Sequence, residues 1–362
     1  MEKILVMNLG STSTKLAVYE GENEALAKTI KYGVETLASF KEPWDQVDLR
    51  RKDILTCLGE AGIKLEDLDL VVCRGGNFHP VPGGIYAINE DIIADMRTGR
   101  WGVHPNGVGG LISFQLSREL GIPAITMDPP ITDEFDDIAR YSGIKEIQRI
   151  SSFHALSLKS TARKIAREQL HKPVEELSLI LVHMGGGISV CVQKNGRVID
   201  GNNSLDGDGP FSPERAGSLP TGDLVHLCFS GKYTEKEILK KLRGAGGWIS
   251  YLDTNDGLEV ERRIEAGDKE AGNVYDAMIY QTCKEIGAMA AVLCGQVDAI
   301  ALTGSLARSD YIVDGIKRRT SFIAPIMRYP GENEMRALLE GSLRFLRGEE
   351  APKPYVREAR DD

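Results

Sequence analysis

An apolar run over residues 4–7 reaches Asn8, breaks into small polar positions at 10–14, and resumes as Leu16, Ala17, Val18 and Tyr19. Short apolar runs bounded by turn residues predict buried strands, here strand, tight turn and second strand. Residues 48–62 have helical spacing, 68–73 read as a buried strand, and a short strand follows Pro82, Gly83 and Gly84. Helices are expected near 89–98 and from His104 to Leu120, a strand over 121–128, and a strong helix over 156–170. The opening order then returns. Residues 177–184 run into Gly185, Gly186 and Gly187, the apolar run resumes over 188–192, and 197–200 supplies a third strand. After an irregular loop from Asn202 to Gly222, helices are expected around His226 and over 235–243, 257–266 and 269–293. The strand 297–302 enters Thr303, Gly304 and Ser305. Pro330 and Gly331 precede a helix reaching about Arg347, and the remaining tail, charged and proline-bearing, is expected to be peripheral.

The two hairpins open at residues 8 and 183, close to half the 362-residue chain apart. Matched hairpins at that spacing point to a duplicated α/β domain. Length agrees with about two domains, and 42% hydrophobic residues can furnish a core in each.

Charge and cysteine usage narrow the function. A net charge of −9 argues against general affinity for nucleic acid or anionic lipid, so any anionic ligand must be held by a local cluster of donors. No apolar run approaches the roughly eighteen residues of a membrane span, and with a strand starting almost at once no signal peptide is expected. The six cysteines, at 57, 73, 191, 228, 283 and 294, lack paired or metal-like spacing. They suit reduced thiols in a cytoplasm rather than a zinc site.

Several stretches carry candidate chemistry. The turn from Asn8 through Ser11 and Ser13 to Lys15 offers backbone N–H groups, hydroxyls and a compact cation to one point, which is what a phosphate requires. It leads into a strand, unlike a Walker loop, and a merely polar β-turn has the same composition. Arg74 ends a strand before Gly75 and Gly76, an anion site or a solvated arginine beside a turn. His104 either caps its helix or touches a ligand. Asp128 ends another strand and is stiffened by Pro129 and Pro130; it reads as a metal- or phosphate-handling group or a cap. His154, preceded by Phe153, stands at a helix start, where a capping role competes with an electropositive one. Arg215 is the only basic residue of the 202–222 loop, a second candidate anion ligand in a loop long enough to be functional.

Taken in order, Asn8 to Lys15, Arg74-Gly75-Gly76, His104-Pro105-Asn106, Asp128, Phe153-His154, His183-Met184-Gly185-Gly186-Gly187, Arg215-Ala216-Gly217-Ser218 and Asn333-Glu334 resemble the ordered motifs of the acetokinase family. That family shares a superfamily with sugar kinases, actin and the heat-shock chaperone ATPases. Within the family the chain resembles the butyrate kinases, being shorter than acetate kinases, which have an arginine, two valines, a histidine and two glycines in place of Arg74-Gly75-Gly76. Gly186 stands where acetate kinases have asparagine, and Gly304-Ser305-Leu306-Ala307 replaces a more acidic adenosine loop.

The resemblance implies an α/β fold of two duplicated actin-like (ribonuclease H-like) domains with a nucleotide cleft between them. The expected domains are 1–150 and 151–334, with a C-terminal helix within 335–362 packing back on the first. It implies reversible phosphoryl transfer between ATP and butyrate, giving ADP and butyryl phosphate, with Mg2+. Branched-chain carboxylates, propionate and acetate are the alternative substrates. By position, Asn8, Ser11, Ser13 and Lys15 would lie near the transferred phosphoryl group; Arg74 and Arg215 would hold the carboxylate or acyl phosphate. His154 would donate to the equatorial oxygens, and Asp128 and Glu334 would serve the metal. His183, Gly185, Gly186 and Gly187 would border the nucleotide phosphates, Gly304 the adenosine, and Gly75, Gly76, Val103, His104 and Phe153 the acid's carbon chain. A cytoplasmic homo-oligomer, usually a dimer, is the implied assembly, with no nucleic acid or membrane partner.

The residue types suit that chemistry. A carboxylic acid with pKa of about 4 to 5 is already ionised near neutrality, so no general base is needed; the problem is to bring an anion against a polyanion. Arginines, a histidine and a metal spread the charge of a loose transition state. Two rivals remain open at this point. A non-catalytic actin-like ATPase module would need the hairpins but not the arginines, and a sugar or N-acetylhexosamine kinase would use Asp128 as base.

Overall fold

The computed structural model describes residues 2–331 and 333–357. The chain folds as two compact units, Met1–Thr132 with Asn333–Asp362, and Asp133–Glu332.

In the first unit, β1 (Lys3–Leu9), β2 (Ser13–Glu20) and β3 (Asn23–Lys31) form an antiparallel meander. β4 (Leu70–Cys73) and β6 (Ala124–Met127) extend it in parallel from β1, and β5 (Ile85–Ala87) closes the sheet antiparallel to β6, giving the order β3-β2-β1-β4-β6-β5. Ile4, Leu5, Val6 and Met7 have no exposed surface, because helices cover both faces of the central strands. The helices Val47–Glu60 and Asn106–Leu120 close one core with Leu5, Met7, Val71 and Ile112. The last helix, Glu334–Leu346, packs on β1, β4 and β6, so the chain end returns to the first unit.

The second unit repeats the plan. β7 (Ser178–Met184), β8 (Ile188–Lys194) and β9 (Arg197–Gly201) form the meander, and β10 (Ala299–Gly304) and β11 (Ile326–Pro330) continue it in parallel, in the order β11-β10-β7-β8-β9. Exchanging β1, β2, β3, β4 and β6 for β7, β8, β9, β10 and β11 reproduces the first sheet, and β5 is the addition. The helix Ala155–Ile165 packs on β7 and β10 on one side; the long helix Lys269–Val292 and the helix Asp310–Thr320 build the core on the other. Two sheets of this order, each sandwiched by helices, make a duplicated actin-like α/β fold.

Three expectations need correction. The units change at 132/133 rather than at 150/151. Residues after 132 bind the second unit: Glu134 accepts from Lys159 Nζ at 2.8 and 3.0 Å and from the Val198 N–H at 2.8 Å, and Arg149 meets Asp200 at 3.0 Å. The tail is also not peripheral throughout. The Lys353 N–H donates to Ile85 O at 2.7 Å, and Tyr355 donates to Asp95 at 2.6 Å while its ring stands edge-on to Phe78 with centroids 5.3 Å apart. Residues 358–362 of the expected C-terminal segment lie outside the described residues. Finally, β3, β11 and the helices Gly247–Leu252 and Asp310–Thr320 add to the expected elements.

Candidate active site

The first phosphate-type turn is closed by Gly10, whose N–H donates to Ser13 O at 2.8 Å, with Leu9 and Thr14 paired as the last rung of the β1–β2 ladder. Ser11 and Thr12 are exposed at its tip, and Ser13 and Lys15 are half-buried behind them. Asn8, one residue before the end of β1, is buried and donates through Nδ2 to Glu334 Oε2 at 2.6 Å. Arg74, just past the C-terminal end of β4, lies 3.1 Å from Glu334 Oε1. Three segments far apart in sequence thus converge, and the acid among them sits at a helix N-terminus, where backbone N–H groups favour negative charge.

Gly75 and Gly76 have a different reason than room for a substrate chain. Gly75 has φ +75°, and both are buried: a Cβ on Gly76 would stand 2.7 Å from Gly107 Cα. Their missing side chains let the strand end pass Thr126 and the helix Asn106–Leu120. Val103 and His104 are exposed just before that helix. His104 Nδ1 accepts the Asn106 N–H at 3.1 Å, so the histidine does cap the helix start. Although the residue is exposed, partial desolvation by the chain around it, and then the nearby Arg74 guanidinium, hold its pKa below the ordinary histidine value.

Asp128 follows β6 with φ 40°, a left-handed conformation that aspartate tolerates. It is 1% exposed; its Oδ1 accepts the Gly84 N–H at 2.8 Å, and its own N–H donates to Gly84 O at 3.0 Å. Among the described residues, no three His, Cys, Asp or Glu side chains are grouped to hold a metal ion. Mg2+ asks for less, because one or two carboxylates suffice when water and substrate phosphates complete its shell. Asp128 and Glu334 are carboxylates of the type such a site would need, Asp128 buried beside Gly84 and Glu334 engaged by Asn8 and Arg74.

In the second unit the 212–217 loop docks on the glycine turn. Gly186 O accepts from Ser212 Oγ at 2.6 Å and from the Glu214 N–H at 3.2 Å. The Arg215 guanidinium lies directly on Gly187, where any Cβ would collide with it, and donates to Ser204 O. Burial lowers its pKa against the pull of Glu214 and Asp206. The Glu214 carboxylate would stand 2.9 Å from a Cβ on Gly186 and accepts Asn255 Nδ2 at 2.9 Å. An asparagine there, as in acetate kinases, would require the Glu214 carboxylate, held by Asn255, to move aside.

Two histidines meet beside this turn. His154 and His183 stack with centroids 4.1 Å apart and planes 19° from parallel. His154 Nδ1 is 2.8 Å from Ser189 Oγ, which also accepts the His154 N–H at 3.3 Å, and His183 Nδ1 is 3.1 Å from Ser157 Oγ. Phe153, expected at a substrate pocket, is instead buried in the apolar layer with Phe135 and Leu158. Gly304 has φ +90°, and a Cβ would strike the Met184 carbonyl, so glycine lets the end of β10 close on β7. Beyond lies a cavity of about 780 Å³, bordered by Gly185, Gly186, Asn255, Glu261, Ser305 and Leu306. That volume suits a nucleoside-sized ligand.

Sequence reading missed Glu214, Asn255, Glu261, Ser157 and Ser189. Only Ser189 left a signal, since the β7–β8 ladder pairs it directly with His183. The others depend on how loops and helices fold back onto the sheet.

The duplicated fold, with a hydroxyl-bearing turn in one unit and a glycine turn in the other, is that of a two-domain actin-like α/β protein. Residues 140–315 match the family described as the acetokinase family. The chain is 48% identical over 353 residues to butyrate kinase 2 of Clostridium acetobutylicum, spanning 98% of this chain and 99% of that protein. In fold it is similar to the crystal structures of two acetate kinases. That of Porphyromonas gingivalis has a TM-score of 0.74 at 17% identity, covering 94% of this chain and 99% of the other. That of Entamoeba histolytica has a TM-score of 0.76 at 16% identity, covering 95% and 100%. The chain belongs to the acetokinase family.

Proposed function

We propose that the chain transfers the γ-phosphoryl group of ATP to butyrate, reversibly, giving butyryl phosphate and ADP. The observation that carries this is the near-complete 48% identity to a butyrate kinase. The chain is a carboxylate phosphotransferase, and the site chemistry agrees. A butyrate oxygen forms the new P–O bond as the bond to the β-phosphate bridging oxygen breaks, and no proton changes hands. In the first unit, Arg74 holds the carboxylate, and the Ser11, Ser13 and Lys15 donors meet the phosphoryl group. In the second, Arg215 takes its anionic oxygens and His154 donates to it. Ser189 Oγ accepts the His154 backbone N–H, so its own hydrogen can point to Nδ1, leaving the His154 proton on Nε2 for donation. The glycine turn and His183 border the nucleotide phosphates, and the adjoining cavity takes the adenosine. Glu334 and Asp128 would hold Mg2+, which neutralises phosphate charge when bound.

A homodimer in the cytoplasm completes the reading. All six cysteines are free, as suits a reducing compartment, and no helix among the described residues is long and apolar enough to cross a membrane. Light scattering tests the dimer. The activity is tested by incubating the protein with ATP, Mg2+, butyrate and hydroxylamine. Butyrohydroxamate is expected. Phosphate release without hydroxamate would support the ATPase module, and phosphorylation of sugars alone would support the sugar kinase.

A further inference from the structure

Arg50, in the helix Val47–Glu60, has no exposed surface, and no carboxylate among the described residues is within ion-pair distance of it. A buried arginine without a carboxylate is unusual, because removing the charge from water is costly. Its donors are spent on neutral oxygens. Nε donates to Gln46 Oε1 at 3.0 Å; Nη1 donates to Ser13 O at 3.0 Å and Thr14 Oγ1 at 3.1 Å; Nη2 donates to Ser11 O at 3.2 Å. The Tyr32 ring covers the guanidinium at 4.8 Å. Those oxygens satisfy its hydrogen bonds but bring no counter-charge into contact with it; Asp53, one turn along the same helix, interacts instead with Tyr32.

Two of the four acceptors are carbonyls of the Gly10–Ser13 turn. A trans peptide points its C=O and N–H in opposite directions, so drawing Ser11 O inward turns the Thr12 N–H outward. The Thr12 carbonyl is tied to the Tyr32 N–H at 2.9 Å. The turn is thereby held from behind, with its tip donors left to the outside. We propose that Arg50 is a positioning residue for this turn, and that its missing counter-charge is the phosphoryl group of the bound nucleotide, acting through the turn rather than by contact. This rests on the reading of the Ser11–Lys15 turn as the phosphoryl cradle.

The test compares Arg50→Met and Arg50→Lys in the full chain. A removed direct donor costs about a hundredfold or more, so a charge acting through the turn should cost about tenfold. The expected result is that Arg50→Met raises the KM for ATP about tenfold while the KM for butyrate stays within about twofold, and that Arg50→Lys recovers part of the loss. KM does not depend on the folded fraction, so simple destabilisation would not produce this split. The rise in Tm caused by MgATP without an acceptor acid should shrink in the same order. Unchanged ATP KM and unchanged MgATP shift in Arg50→Lys and Arg50→Met would overturn the proposal, as would parallel rises in both KM values. If Arg50→Met does not fold, Gln46→Leu, which removes the Nε acceptor, joins Arg50→Lys, and the same split decides. Absence of hydroxamate in the unaltered protein would overturn the kinase reading instead, while the MgATP shift would still judge Arg50.

Discussion

Glu334 Oε1 stands 3.1 Å from Arg74 Nη1 while its other oxygen takes the Asn8 amide at 2.6 Å, so one carboxylate orients an arginine and an amide from two neighbouring strands. Glu334→Gln removes the charge but keeps the shape. If Glu334 also serves Mg2+, the variant should need several-fold more Mg2+ for half-maximal rate and lose turnover as Arg74 loosens. A magnesium titration at saturating ATP and butyrate checks this; unchanged metal dependence would confine Glu334 to orienting Arg74.

Arg74→Ala and Arg215→Ala should each lower kcat by roughly a hundredfold, the usual loss of one transition-state donor, with far-UV circular dichroism unchanged. Gly187→Ala should mimic Arg215→Ala, because the new methyl would occupy the place of the guanidinium. A variant that altered only KM would remove these arginines from the transition state.

Butyrate should surpass acetate in kcat/KM by about tenfold, as expected of a chain 48% identical to a butyrate kinase and within the roughly 1 to 3 kcal/mol by which a site distinguishes acids differing in methylenes. Gly76→Val, which sequence reasoning would use to narrow the pocket, should instead destabilise the fold by about 1 to 3 kcal/mol, because its Cβ meets Gly107 Cα at 2.7 Å. Denaturant midpoints check the second outcome and an acid panel the first.

His104 has a lowered pKa, so between its folded value and 6.5 the unfolded chain binds more protons than the folded one. Its contribution to stability is complete above 6.5 and is lost as pH falls through the folded value. The Tm of the unaltered protein should therefore fall more steeply from pH 7.5 to 5.5 than that of His104→Gln. The effect should be small, since the residue is exposed. Equal slopes would show that His104 is not the titrating group.

The hairpins at residues 8 and 183 were legible because strands buried on both faces are continuously apolar, and only small residues can turn between them. β3 and β11 were not, since both lie at sheet edges: exposed Glu24, Lys28 and Lys31 lie along β3, and Arg328 is exposed on β11. The candidate site was read more fully as a roster than as an arrangement. Arg74, Arg215 and Asn8 stood out one by one and Glu334 came only through the family motif, yet nothing near Arg74 in the chain announces Glu334. Arg50 was invisible, because an arginine at a polar position of a helix reads as solvated until a turn packs over it.

What the sequence determined by itself was therefore the duplicated element order, the hydroxyl-rich and glycine-rich turns and, through ordered motifs, the family. Those depend on periodicity and turn chemistry, which act over a few neighbouring residues. The tertiary structure decided the unit boundary at 132/133, the packing reason for Gly75 and Gly76, the filling of the Gly186 space by Glu214, and the meeting of Glu334 with Arg74. Each of these depends on close packing between segments remote in the chain, where a few tenths of an ångström settle which side chain fits and which charge finds its partner.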